Sequence, residues 1–132
     1  MNSLEQILME ISKDEIEEHV QEKAKNELAK NKFTNDLMDV YAAIENTEKR
    51  VADVVMTPEL FSDFRKVFTD ATFEKSKDKI VKGLMAYMWG SNIWVYKSVP
   101  GNLKAYSEDD PSLKTDFPGI VEFKEKEGFQ QI

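Results

Sequence analysis

Cysteine is absent from this 132-residue chain, which excludes disulfide frameworks, thiolate zinc sites and cysteine nucleophiles. Histidine occurs once, as His19. A zinc site would want a second imidazole or a convergent carboxylate cluster. A Ser-His-Asp arrangement would have to recruit the same residue from a polar helix, with no Gly-x-Ser-x-Gly elbow to help it. Glu15 lies four residues before His19 and Lys23 four after, so it reads as a solvated helix residue among surface ion pairs. The five glycines, at 83, 90, 101, 119 and 128, never cluster, and no glycine-rich phosphate loop is expected. No window approaches the length of about eighteen apolar residues that spans a bilayer. The opening MNSLEQILMEISKDE lacks both the basic start and the apolar run of a signal peptide.

What is there reads as an ordinary soluble globular protein, with 41% hydrophobic and 33% charged residues. Its length suits one domain with a real core. The net charge of −7 argues against a sequence-specific nucleic-acid partner, because lysines must be segregated on one face to overcome it. Lys75, Lys77, Lys79 and Lys82 form a small basic run beside Phe73 and read as a solvated connector. Glu108-Asp109-Asp110 lacks the alternating spacing and turn glycine of a calcium loop and reads as a solvated loop. No pair of carboxylates stands out for acid–base work. The residues therefore single out no catalytic residue, no metal ligand, no cofactor site and no small-molecule substrate.

The chain divides by pattern into a helical arm over 1–30 and a single α+β domain over 31–132. The arm holds eight acidic and four basic side chains and no proline, glycine or aromatic ring. Ser3 with Gln6 and Ser12 with Glu15 fit capping boxes. Leu4, Ile7, Leu8 and Ile11, then Ile16, Val20, Ala24 and Leu28, form a narrow apolar stripe that needs a partner surface. Thr34 is placed to cap a helix carrying Leu37, Val40, Tyr41 and Ile44 on one face and ending near Lys49–Arg50. Val51–Met56 reads as a buried strand, and Thr57-Pro58-Glu59 as the start of a helix whose core face is Leu60, Phe61, Phe64 and Val67. After a polar stretch over Thr69–Lys79, Leu84–Trp89 and Ile93–Lys97 read as a hairpin. Gly90-Ser91-Asn92 is its turn, with Gly90 at positive φ. Alternation puts Met85, Tyr87 and Trp89 on one face and Leu84, Ala86 and Met88 on the other. These aromatics read as core or subunit interface. Pro100-Gly101-Asn102 is a second turn, Leu103–Ser107 a third strand of this set, Glu108–Pro118 a loop and Ile120–Lys124 a last strand, which Gly128–Ile132 either extends or leaves as a frayed end. The sum is α+β: N-terminal helices, a strand–helix unit, then a mostly antiparallel sheet. Val54, Leu60, Phe61, Phe64, Val95 and Ile44 are expected to pack together.

Two ordered segments carry a resemblance. The first is Val54-Val55-Met56-Thr57-Pro58-Glu59-Leu60-Phe61, followed by Phe64-Arg65-Lys66. The second is Met88-Trp89-Gly90-Ser91-Asn92-Ile93-Trp94-Val95, followed by Val99-Pro100-Gly101-Asn102-Leu103. In order and spacing they are similar to the central domain of the major capsid proteins of tailed bacteriophages, the fold also used by encapsulin shells. The resemblance covers about Leu37–Ser107 and implies a shortened or minimal version of that fold. It implies a virion structural protein that is not an enzyme and that partners like subunits or other capsid proteins, in the virion or the host cytoplasm. The competing expectation is a small phage-encoded or mobile-element regulatory module that binds a protein through its acidic N-terminal helices.

Overall fold

The structure, a computed structural model, describes residues 31–127. The helical arm over 1–30 with its capping boxes and His19, and the extension over Gly128–Ile132, lie outside the described residues. The chain divides into two units, Met1–Lys32 and Phe33–Ile132, and the second is built on a five-stranded sheet.

Helix α1 comes first, its described residues being 31–45. Thr34 lies inside this helix, so it is not the cap expected of it. The helix ends earlier than Lys49–Arg50. The Thr47 hydroxyl donates to Ile44 O at 2.6 Å, and Glu48 turns the chain at φ 63°, so the last carbonyls are closed by a side chain and a left-handed residue. Strand β1 (Val51–Met56) follows, buried at every position. Helix α2 (Pro58–Val67) starts as its sequence dictates, with Pro58 in the first turn and Glu59 at the positive end, although the Thr57 hydroxyl makes no capping bond. Strand β2 (Thr72–Phe73) and helix α3 (Lys77–Val81) occupy the polar stretch. The hairpin strands are β3 (Leu84–Met88) and β4 (Ser91–Val95). A short 3-10 turn over Pro100–Asn102 leads into β5 (Leu103–Ser107).

The strands lie in the order β2-β3-β4-β1-β5. The β1–β4 pair is parallel, with Val54 opposite Ile93; the β1–β5, β2–β3 and β3–β4 pairs are antiparallel. The sheet is therefore mixed and mostly antiparallel, and the α+β class holds. One face is covered by α1 and α2: Phe33, Leu37, Tyr41, Phe61 and Phe64 pack on Val54, Met56, Ala86 and Ile93. Leu60, Ile44 and Val95 close over the same cluster, so the six residues expected to pack together do.

The chain after β5 departs from expectation. Helix α4 (Ser112–Asp116) interrupts the loop read over Glu108–Pro118, and α5 (Pro118–Glu127) replaces the last strand read over Ile120–Lys124. The five-residue alternation was too short to decide between periods. The longer spacing Leu113, Phe117, Ile120 steps by four and then three, which is helical, and Pro118 suits a first helical position. These helices cover the second sheet face, where Leu113, Phe117, Ile120 and Phe123 pack on Val55, Leu84, Trp94 and Tyr106.

The hairpin also differs. Its turn is Trp89-Gly90, both left-handed at φ 53° and 75°, which is the two-residue geometry that follows strand twist. Gly90 holds the positive φ expected of it, but Ser91 and Asn92 are strand residues and fully buried. Alternation along β3 fails because the register slips between Leu84 and Ala86. Leu84 falls on the α5 face and Ala86 with Met88 on the α1–α2 face, as a bulge requires.

Candidate functional site

Two places in this unit hold residues that packing alone does not account for. The first is the hairpin end. Trp89 occupies a left-handed turn position that Asn, Asp or Gly normally takes, and it remains 51% exposed. Its ring meets Tyr41 of α1 and Phe68 after α2 edge to face, at centroid distances of 5.2 and 5.4 Å. Met38, one turn before Tyr41, is 45% exposed. Between Met38, Tyr41, Glu45, Arg50 and Trp89 runs an open groove of about 460 Å³. A second, of about 360 Å³, also borders Trp89 and is lined by Phe68, Asp70, Thr72 and Tyr87. Arg50 fixes the turn from beneath: it donates to Gly90 O at 2.5 Å and, through Nε, to Glu108 Oε1 at 2.7 Å. Glu108, read as part of a solvated acidic loop, thus braces the hairpin.

The second place is inside. Asp53 is the one charged residue of β1 and is wholly buried, facing α5. Its Oδ1 accepts from Trp94 Nε1 at 2.8 Å and from Asn92 Nδ2 at 3.3 Å. Its Oδ2 accepts from Lys124 Nζ of α5, itself mostly buried. A buried carboxylate is tolerable only when paired in this way. The sequence did carry a signal for it. An aspartate within an otherwise apolar strand must find a cation or several donors, but the partner could not be named while 120–124 was read as a strand.

Other polar groups brace the same scaffold. Asp116 Oδ2 accepts from Lys104 Nζ at 2.7 Å and Tyr106 Oη at 2.8 Å. These bonds, the lysine's first, hold its carboxyl below the usual range. Glu74 is held low in the same way, chiefly by the hydroxyl of Tyr87, then by the Ser76 amide. Of the Lys75–Lys82 run, Lys79 pairs with Glu74 at 3.9 Å. Among the described residues no group of three or more His, Cys, Asp or Glu side chains is arranged to hold a metal ion, and no helix is long and apolar enough to cross a membrane. The chain matches no family model, no curated protein and no solved structure.

Proposed function

We propose that this chain is a capsid-like structural protein, a minimal or shortened relative of the tailed-phage and encapsulin shell subunit. It acts by assembling with like subunits or other capsid proteins, in the virion or in the host cytoplasm before assembly, and it performs no catalysis. The observation that carries this reading is the Trp89 apex. A bulky aromatic in a left-handed turn position costs about 1–3 kcal/mol of strain, and its exposed ring adjoins a second exposed apolar residue, Met38. Such surface disfavours a free monomer and suits a contact with another chain. The two segments that carry the capsid resemblance also support it, because they fold as hydrogen-bonded neighbours. Strand β1 runs parallel to β4 from Asp53↔Asn92 to Met56↔Val95. Beyond it the Thr57 amide donates to Asn102 O at 3.2 Å and the Tyr96 amide to Met56 O at 3.1 Å. Assembly then needs only complementary surfaces, weak singly and multiplied by symmetry.

The test is light scattering after size exclusion, with electron microscopy, on the full chain and on Trp89→Glu. The expected result is an oligomer or closed particle for the parent chain and a smaller species for the variant with an unchanged circular dichroism spectrum. A parent chain that stays monomeric across concentration would refute self-assembly. It would favour the competing reading, a regulatory module that binds a foreign protein through its acidic N-terminal helices.

A further inference from the structure

We propose that Asp53 and Lys124 are the two halves of an intramolecular isopeptide bond, formed spontaneously once α5 docks on the sheet. This rests on the buried centre alone and is independent of the assembly reading. The geometry supplies what the condensation requires. Lys124 Nζ is already in hydrogen-bond contact with Asp53 Oδ2, so nucleophile and electrophile are held together without a diffusional step. Asp53 is wholly buried and Lys124 nearly so, with side-chain exposures of 1% and 14%. Trp94 and Phe123 meet edge to face beside them, their centroids 6.1 Å apart. The reaction begins with one proton passing across the contact, from Lys124 Nζ to Asp53 Oδ2. The neutral pair, amine and carboxylic acid, is the reactive one.

The atoms balance without any outside reagent. The Lys124 nitrogen attacks Asp53 Cγ, forming the C–N bond and placing negative charge on Oδ1. That oxygen already accepts N–H groups from Trp94 and Asn92, which is an oxyanion-binding arrangement. The nitrogen then passes its second proton to Oδ2. The Cγ–Oδ2 bond breaks, and one water leaves. Nothing is oxidised or reduced. The new amide N–H needs a buried acceptor. Asn92 Oδ1, wholly buried in the same site, has no hydrogen-bond partner and is placed on the residue that adjoins Asp53. Trp94 and Asn92 are positioning residues here; only Asp53 and Lys124 react.

Intact-mass spectrometry of the folded full chain is the test, followed by peptide mapping. The expected mass is short by one water, with a branched peptide joining the Asp53 and Lys124 segments and no tryptic cleavage after Lys124. Lys124→Arg keeps a cation for Asp53 but cannot form the amide, so it should show the full mass while remaining folded. Asn92→Ala should form the bond more slowly after refolding, followed as mass against time. A folded parent chain with the full mass after prolonged incubation would overturn the proposal and leave an ion pair only. A loss of one ammonia, with the branch at Asn92, would overturn Asp53 as the electrophile.

Discussion

The ring of Tyr96 closes over Gly83. A methyl group on the glycine would stand 2.9 Å from Cε2 of that ring and 3.1 Å from Val95 O. Gly83 sits at φ +99°, and its carbonyl accepts the Val95 amide at 2.8 Å, while the Tyr96 hydroxyl donates to Lys82 O at 2.7 Å. The passage from α3 into β3 is thus locked to the end of β4 from both sides. Gly83→Ala should destabilise the protein by about 1–3 kcal/mol, through left-handed strain and displacement of the tyrosine ring. The denaturant midpoint checks this. Tyr96→Phe at the same site should cost less, because only the hydroxyl contact is lost.

Phe64 is fully buried at the middle of an aromatic cluster, stacked on Phe61 at 5.6 Å and meeting Phe68 and Phe73 at 5.3 and 6.1 Å. Phe64→Ala should cost about 3–5 kcal/mol, the sum of lost transfer energy and the cavity left behind. A loss under about 1 kcal/mol in a denaturant titration would contradict this packing.

The protein should lose stability in alkali. Burial pushes the Tyr41 phenol from 10.0 up to about 12, with the charge of Glu45 adding to the shift and the Ser91 hydroxyl opposing it. The unfolded chain ionises this group first, so its contribution is intact below pH 10 and is lost as pH rises from there through about 12. At full ionisation the loss from this one group is about 2–3 kcal/mol. Tyr87 and Tyr106 are raised as well, each chiefly by burial and then by its carboxylate partner. Chemical denaturation at a series of alkaline pH values should show the decline, and Tyr41→Phe should make its slope shallower without abolishing it.

How much of this was legible depends on the element. Val51–Met56 and the Thr57-Pro58-Glu59 start could be read directly, because a buried strand and a proline-led helix have local signatures. The core partners of Phe64 could be read for the same reason. The C-terminal helix could not, since five alternating residues satisfy either period and the deciding spacing began before them, at Leu113. The face assignment along β3 failed at a bulge, which is fixed by cross-strand register rather than by composition. As for the two candidate sites, Trp89 was visible as an aromatic of core or interface, but its exposure depends on a turn one residue earlier than the glycine-centred one expected. Asp53 was not legible as a site, because its cation lies on α5, a segment that reads locally as a strand.

Complete burial of β1 between β4 and β5 has a consequence for synthesis. The strand leaves the ribosome well before either neighbour exists, since its pairing partners begin at Ser91 and Leu103. For that interval an apolar, β-branched segment with open hydrogen-bonding edges on both sides is available to any similar strand on a neighbouring polysome. Asp53 breaks its run of apolar side chains. Before α5 is made, Lys124 is not yet there to pair with that carboxylate, and two nascent copies pairing in register would bring like charges together. The residue that later anchors the last helix thus serves, while the chain is unfinished, as a gatekeeper against aggregation.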